Sequence, residues 1–419
     1  MKKIILSAAV AAMALSTSAF AADKGIDVVT TGQAVVYYQT GDQNDNSIGS
    51  QDNSSANVGL QLNLDADLKS GFTFGSQLTY LGTAGLEKNL VSGTRQGTTN
   101  DAYADNSTTD ELALTKIFVA KTVGNTTVKI GRQELPKSLA PFSYSEGWNV
   151  FKNTFDAILA VNTDIPDTTL VGAYVSGGTG MDLTATDNLV AGGTGLDVLG
   201  AAYMITAQNK SIPMTTITAS YYDVDKVQVV DNATALWVDA KIAGKDMPLG
   251  LKIGLQGGQI SGDAVAEDTT AMGVKVGMKP IKPLYLQLAY SNVNDGDQAV
   301  KNVGTGIKTP LFTQMIYNQN AIARDNSTIV AKAVYNTGDY GKIIAQYGMT
   351  TAGDTNNING ENDYTELDVI YRIKSGGVAY WASVMMINAD VNGAKSSIIG
   401  AAADAESDTK IRLWGRYAF

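Results

Sequence analysis

The fold is decided by residues 56–68, which read ANVGLQLNLDADL. Every even position from Ala56 to Leu68 is apolar, and every odd position from Asn57 to Asp67 is polar or glycine. Because successive side chains of a β-strand point to opposite faces, this segment has one apolar face and one polar face. The same two-residue period returns in residues 249–256, 272–279 and 365–374. The period predicts an all-β protein made of many amphipathic strands.

The connections between these segments alternate between short turns and long loops. The long ones are rich in Gly, Asn, Asp, Ser and Thr and cover residues 41–54, 82–110, 134–152, 177–194, 292–326 and 388–407. Hairpins with short turns at one end and long loops at the other are typical of an outer-membrane barrel. We therefore expect a transmembrane antiparallel up-and-down β-barrel of about 18 strands, an even number as in single-chain bacterial barrels.

A soluble two-sheet sandwich is the alternative, because its strands also alternate between apolar and polar side chains. A sandwich would bury the aliphatic faces in a dry interior, whereas a membrane barrel turns them outward. The polar faces here carry small residues, amides and charges of both signs over many strands, which favours a water-filled lumen.

Composition excludes several kinds of chemistry. The chain has 419 residues with 31 basic and 41 acidic side chains, and it contains no histidine and no cysteine. A Ser-His-Asp triad, a thiol nucleophile, a Cys/His zinc site and disulfide bonds are all excluded. The net charge of −10 argues against nucleic acid as a partner, since phosphates require a basic face. We expect neither an enzyme nor a bound cofactor.

The first 21 residues resemble an export signal. Lys2 and Lys3 precede an apolar run from Ile4 to Leu15, and Ala19-Phe20-Ala21 has the small-x-small pattern of a cleavage site. The alternative is a short buried helix. Cleavage before Ala22 would leave residues 22–419 as one barrel domain and change the net charge from −10 to −12.

The end of the sequence carries a second targeting pattern. Residues 410–419 read KIRLWGRYAF and alternate between basic or aromatic and apolar positions, closing on Tyr417 and Phe419. This resembles the terminal strand of Gram-negative outer-membrane proteins, whose last aromatic residue is read by the barrel-assembly machinery. The alternative is an ordinary amphipathic strand that happens to end in Phe.

Residues 128–135 (VKIGRQEL), the strand restart at 153–156 (NTFD) and residues 308–318 (KTPLFTQMIYN) resemble the major outer membrane porins of the campylobacter group. That family is related to the substrate-specific porins of Pseudomonas. The resemblance implies an 18-stranded pore, commonly a homotrimer in outer-membrane lipid, whose third long loop folds inward and narrows the channel. It implies passive diffusion of small hydrophilic solutes and ions.

Two groups of residues are candidates for the pore. If residues 134–152 form the inward loop, the constriction contains Glu134, Lys137, Tyr144, Glu146, Trp148 and Lys152. Positions on the polar strand faces predict a pore wall that includes Lys129, Lys241, Lys252, Lys275, Lys332, Lys342, Arg372, Lys374, Arg412 and Arg416. Arg132 is also assigned to the wall, although it shares its strand face with apolar Val128 and Ile130 and needs a bulge to turn inward.

Acids on the loop facing bases on the wall would create a transverse field, and the negative net charge predicts weak cation preference. The acid-rich loops leave room for loosely bound calcium without assignable ligands: residues 42–46 begin like a calcium loop, but Ser47 and Asn53 replace its glycine and its glutamate. The alternative function is a surface adhesin or structural barrel that acts through its long loops.

Overall fold

The computed structural model describes residues 26–42, 46–97, 110–180, 183, 185–186, 189–190, 197–198, 201–227, 231–263, 266–353, 363–390 and 407–419. The export signal predicted over residues 1–21 and its cleavage site lie outside these ranges, as do residues 43–45 of the calcium-like segment. Among the described residues, no helix has the length and apolar character needed to cross a lipid bilayer.

The regular structure of the described chain is almost entirely β-strand. Its strands are β1 (Asp27–Gly41), β2 (Ser54–Lys69), β3 (Phe72–Gly82), β4 (Glu111–Val123), β5 (Thr126–Gln133), β6 (Phe155–Asn162), β7 (Thr168–Thr179), β8 (Ala185–Thr186), β9 (Leu189–Val190), β10 (Asp197–Val198), β11 (Ala202–Asn209), β12 (Thr215–Val227), β13 (Asp231–Ala243), β14 (Lys252–Gly262), β15 (Thr269–Ile281), β16 (Leu284–Val293), β17 (Asn326–Asn336), β18 (Lys342–Ala352), β19 (Asp363–Ser375), β20 (Val378–Asp390) and β21 (Ser407–Ala418). Three short 3₁₀ turns, Leu86–Lys88, Pro248–Gly250 and Gly338–Tyr340, complete the regular structure.

Eighteen of these strands form the barrel wall, and β8–β10 are two-residue strands in the connection between β7 and β11. Each wall strand pairs antiparallel with its neighbour along the chain, and β1 pairs antiparallel with β21. The sheet is closed, because Gly32 and Phe419 exchange backbone hydrogen bonds of 2.7 and 3.0 Å across this last pair. The predicted strand number, direction and closure are confirmed.

The orientation of the side chains excludes a sandwich. Along β1, Val36 is 58% exposed while its neighbours Val35 and Tyr37 are each 1% exposed. On β2, the polar residues Asn57 and Gln61 are buried inside the barrel. Large apolar side chains are exposed on most wall strands, so the aliphatic faces point outward, as a membrane barrel requires.

The interior is divided between a packed part and a polar part. Toward the long loops, inward side chains of β6–β16 pack against two loops that enter the barrel, and Phe142 meets the Trp237 ring edge-on at 5.2 Å. Toward the short turns, β1–β3 present a network of amides in which Gln61 bonds Gln77 at 3.1 Å. The lumen is therefore narrower than a barrel lined only by wall side chains.

Candidate functional site: two inward loops and a basic lumen wall

The connection from β5 to β6, residues 134–154, folds into the barrel. On the lumen side of the wall, Arg416 of β21 donates from Nη2 to the Val150 carbonyl of this connection at 2.7 Å. The Phe151 backbone N–H donates to Gln96 Oε1 at 2.7 Å, and Lys137 Nζ donates to the Thr309 carbonyl at 2.9 Å. The predicted inward fold of the third long loop is thus confirmed.

Glu134 and Lys152 meet at the base of this loop. Lys152 Nζ donates to Glu134 Oε2 at 2.8 Å, and Lys116 on β4 forms a second ion pair with the same carboxylate. Burial alone would raise the pKa of Glu134, but the two ammonium groups outweigh it and lower that pKa below its usual value. Glu134 therefore reaches the lumen as predicted, with its charge neutralised by two lysines.

Glu146 does not face the lumen, which corrects the sequence-based assignment. Its side chain is 3% exposed, and Oε1 accepts hydrogen bonds from Asn302 Nδ2 (2.7 Å), Thr305 Oγ1 (2.5 Å) and the Lys308 backbone N–H (3.1 Å). The indole N–H of Trp148 bonds Oε2. The carboxylate satisfies donors of a second loop, since a buried charge needs such partners.

Lys137 and Tyr144 also contact the second loop instead of lining open water. The Tyr144 hydroxyl donates to the Thr309 carbonyl at 3.2 Å, and the Lys137 ammonium lies 4.8 Å from the centre of the Tyr144 ring. Burial lowers the pKa of Lys137 to about 8. Of the six predicted constriction residues, Glu134, Trp148 and Lys152 line lumen cavities.

The second inward loop, residues 294–325 between β16 and β17, was not predicted. Lys308 is buried in it, and its ammonium donates to the Ile316 carbonyl at 2.6 Å and to Gln319 Oε1 at 2.9 Å. Burial lowers the pKa of Lys308 to about 8, against the opposing effect of Glu146 and Glu366. The signal was present in the sequence, because residues 307–317 (IKTPLFTQMIY) are unusually apolar for an external loop.

The predicted wall bases other than Arg132 occupy inward positions, and most of them lie on an aromatic face. Lys129 lies 3.6 Å from the Phe118 ring centre, and Lys275 lies 4.0 Å from Phe312 of the second loop. The others with such contacts are Lys252 on Tyr285, Arg372 on Trp381, Arg412 on Tyr37 and Tyr317, and Arg416 on Trp414. Cation–π contacts hold a charge in place without neutralising it. Lys332 and Lys342 take inward positions on β17 and β18 by strand alternation.

Arg132 lies on the outer face, which corrects its assignment to the pore wall. It is directly opposite Ile117 in the ladder, and both Ile117 and its own neighbour Ile130 are exposed to the outside. Its guanidinium binds Asp156 through two hydrogen bonds of 2.8 and 2.9 Å. The expected bulge is absent, because β5 keeps its register with both neighbouring strands.

The lumen contains two neighbouring cavities, and Lys152 and Arg416 line both of them. One, of about 540 Å³, is polar and lined by residues of β1–β5 that include Gln61, Lys129 and Glu134. The other, of about 410 Å³, is lined by Trp148, Trp381 and Trp414 together with Arg372, Arg412 and Arg416. We define this second space as the tryptophan–arginine cavity.

The three arginines of the tryptophan–arginine cavity have no counter-charge in contact, whereas Lys152 in the same lining is paired with Glu134. Among the described residues, no carboxylate oxygen lies within 4.0 Å of the guanidinium nitrogens of Arg372, Arg412 or Arg416. Arg416 Nε and the indole nitrogens of Trp381 and Trp414 are buried and have no hydrogen-bond partner in the part of the chain that the structure describes. Within the described ranges, no group of three or more acids lies together as a metal site would require. The cavity therefore offers the positive charge of its three arginines to an anion.

Comparison with known proteins gives a likeness of fold. No protein-family model matches the chain, and no curated protein matches it in sequence. Pseudomonas aeruginosa OccK8 (OprE) is similar in structure, with a TM-score of 0.73 at 15% identity over 94% of this chain and 98% of that one. Pseudomonas aeruginosa OpdK, solved with vanillate, gives 0.71 at 13% identity over 94% and 98%, and Acinetobacter baumannii OccAB2 gives 0.69 at 13% over the same shares. The chain is therefore a closed antiparallel 18-stranded barrel with the fold of these Pseudomonas and Acinetobacter proteins.

Proposed function

We propose that the protein is an outer-membrane porin, a non-enzymatic channel through which small hydrophilic anions diffuse passively. One observation carries the proposal: Arg372, Arg412 and Arg416 line the lumen without a carboxylate partner. Charged side chains around a pore set its ion preference. The outward aliphatic faces and the structural likeness to OccK8 and OpdK support the channel.

The lumen charge favours a sign of selectivity opposite to that predicted from the net charge. The bases lining the two cavities are Lys116, Lys129, Lys152, Arg372, Arg412 and Arg416, while the acids are Asp65 and Glu134. Charges beyond about 10 Å are largely screened at about 0.1 M salt, so the charges that line the cavities act most strongly on a passing ion. The local bases, rather than the net charge of the chain, then decide the preference.

Small carboxylates are the solutes that this lining fits best. A guanidinium matches a carboxylate in shape and can bind both oxygens, whereas chloride accepts bonds only as a point charge. OpdK, which has this fold, was solved with the carboxylate vanillate. We propose that this channel passes small carboxylates in preference to neutral solutes of the same size.

The proposal is tested by reversal potentials of the purified protein in a planar bilayer. In a gradient of potassium chloride, we expect a reversal potential with the sign of an anion-preferring channel. We expect the same sign of reversal potential in a gradient of potassium acetate. A cation-preferring potential would overturn the proposed selectivity. Absence of single-channel steps would overturn the channel itself and favour the adhesin or structural barrel.

The cellular setting is part of the same proposal. We expect export with cleavage before Ala22, insertion by the barrel-assembly machinery, and a homotrimer in outer-membrane lipid. Tyr417 and Phe419 support the assembly step, since both are exposed on the outside and their rings stack at 6.1 Å. Likeness to the campylobacter-group porins stays a prediction, and so does loosely bound calcium. Extraction from membranes by detergent but not by salt tests the membrane insertion. The mass of the mature chain tests cleavage before Ala22.

A further inference from the structure

We propose that Glu366 is a positioning residue, which holds residues 308–317 against the lumen wall and thereby fixes Arg412 in the permeation path. We call residues 308–317 the strap. The proposal deepens the porin function and rests on it for the role of Arg412, whereas the attachment of the strap can be tested without it.

Glu366 is bound to the backbone of the strap. It lies on the inward face of β19 with 0% exposure, and Oε1 accepts hydrogen bonds from the backbone N–H groups of Ile316 (3.0 Å) and Tyr317 (2.9 Å). Oε2 accepts the Tyr364 hydroxyl at 3.0 Å. Two successive N–H groups on one carboxylate oxygen fix the local backbone direction, and bonds to a charged acceptor are about twice as strong as neutral ones.

The other end of the strap is held by a second buried acid. The Lys308 backbone N–H donates to Glu146 of the first inward loop at 3.1 Å. Within the strap, the Lys308 ammonium donates to the Ile316 carbonyl at 2.6 Å. Directly after it, Asn318 Oδ1 accepts the Met315 backbone N–H at 2.7 Å. The strap is therefore a closed unit fastened to one acid of the neighbouring loop and one acid of the wall.

The wall end of the strap carries the residues that contact the permeation path. The Tyr317 hydroxyl accepts a hydrogen bond from Arg412 Nη2 at 3.0 Å and donates to Gln39 Oε1 at 2.9 Å. Ile316 lines the tryptophan–arginine cavity beside Arg412. Release of Ile316 and Tyr317 from Glu366 would free the Arg412 guanidinium on that side.

Charge and positioning predict opposite results when Glu366 is replaced. Loss of a negative charge from the lumen, acting through electrostatics alone, would strengthen anion preference. Loss of the strap attachment would weaken anion preference, because Arg412 would no longer be held in the path. Asp65→Ala is the matched control, since Asp65 lines the polar cavity and is far in sequence and wall position from the strap.

The attachment can be measured directly because the chain has no cysteine. In an Ile316→Cys background, an uncharged methanethiosulfonate reagent reports how freely the strap end is reached, because its local concentration does not depend on the charge removed at Glu366. We expect Glu366→Ala to raise the modification rate about tenfold, which corresponds to losing a hydrogen bond to a charged group. Glu366→Gln retains an acceptor oxygen and should fall between Glu366→Ala and the unchanged residue. Asp65→Ala should leave the rate unchanged, and the heat-dependent gel shift shows whether each barrel is folded.

Reversal potentials of the same variants complete the test. We expect Glu366→Ala to weaken anion preference and Asp65→Ala to strengthen it. An unchanged labelling rate in both Glu366 variants would overturn the attachment, and stronger anion preference in Glu366→Ala would overturn its link to Arg412. The unmodified channel could prefer cations while Glu366→Ala still raises the labelling rate. That result would overturn the proposed anion selectivity and leave the attachment of the strap to Glu366 supported.

Discussion

Arg412 on the terminal wall strand donates a hydrogen bond from Nη2 to the hydroxyl of Tyr317 on the second inward loop, at 3.0 Å. The guanidinium also lies over the Tyr317 ring, 5.5 Å from its centre, and donates to Gln39 Oε1 on β1 at 3.1 Å. None of these partners carries a charge. The arginine is thus held in one orientation by partners that leave its positive charge without a counter-charge.

Replacing Tyr317 by Phe removes the hydroxyl and keeps the ring. We expect weaker anion preference in reversal-potential measurements, because Arg412 loses one anchor, and a loss of about 1 kcal/mol in unfolding free energy for the missing hydrogen bonds. Tyr335→Phe, on the outer face of β17, is the control and should change neither preference nor conductance. Equal preference in Tyr317→Phe and the unmodified channel would show that the hydroxyl does not position Arg412.

Arg416 combines charge with two directed hydrogen bonds. It donates to the Val150 carbonyl at 2.7 Å and to Gln33 Oε1 at 2.8 Å. We expect Arg416→Gln to reduce the permeability ratio of acetate to potassium, and Arg416→Lys to restore it only in part, because an ammonium cannot reproduce the planar geometry of a guanidinium. Full recovery with lysine would mean that charge alone matters at this position.

Glu134→Gln should increase anion preference, because Lys116 and Lys152 lose their shared counter-charge. The pH dependence has a definite sign. Since the folded pKa of Glu134 is below its usual value, its ion pairs are present at neutral pH and disappear as the pH falls through the lowered pKa. Acidification of the unmodified channel should therefore raise anion preference more than acidification of Glu134→Gln, as read from reversal potentials across the acidic range.

Glu146→Gln should act on stability. The buried carboxylate accepts four hydrogen bonds, and an amide leaves at least one donor facing an NH₂ group, so we expect a loss of about 2 kcal/mol in unfolding free energy. Urea titration of the refolded barrel measures the loss, with Glu267→Gln at an exposed position as control. A variant as stable as the parent would contradict the proposed link between the two inward loops.

Lys308 should make the unfolding free energy depend on pH in the alkaline range. Burial lowers its folded pKa to about 8, below the usual value, so the unfolded chain binds more protons between these values. The contribution of Lys308 to stability should therefore rise as the pH increases from about 8 toward its unfolded pKa. Unfolding midpoints at neutral and alkaline pH should shift upward more in the parent than in Lys308→Met, and parallel shifts would contradict the buried charged lysine.

The barrel itself follows from the two-residue period of the sequence. Alternation in a strand such as β2 fixes which side chains face water, and closure then needs only an even set of hairpins. The same alternation predicts an inward face for Lys129, Lys275 and Arg412, which lie beside the rings of Phe118, Phe312 and Tyr317; their role in the pore stays a prediction. It failed for Arg132, where chemical type was given more weight than strand position.

The loops were harder to predict, because no period constrains an irregular segment. The first inward loop was expected on family resemblance, but whether Glu146 faces water or protein depends on residues 156 to 162 positions away, such as Asn302 and Lys308. Those partners belong to a loop whose inward path is set by packing in the barrel. Contacts between residues so far apart in sequence produce no local sequence pattern here other than the apolar run in residues 307–317.

The shortness of β5 and β6 has a consequence for the surrounding lipid. Each has eight residues, against thirteen in β4, and a strand needs about 9–11 residues to cross the hydrocarbon layer. Such hydrophobic mismatch is accommodated by local thinning of the bilayer. Thinning at this sector of the circumference would bring headgroups and interfacial water to the Arg132–Asp156 pair, which acyl chains cannot solvate.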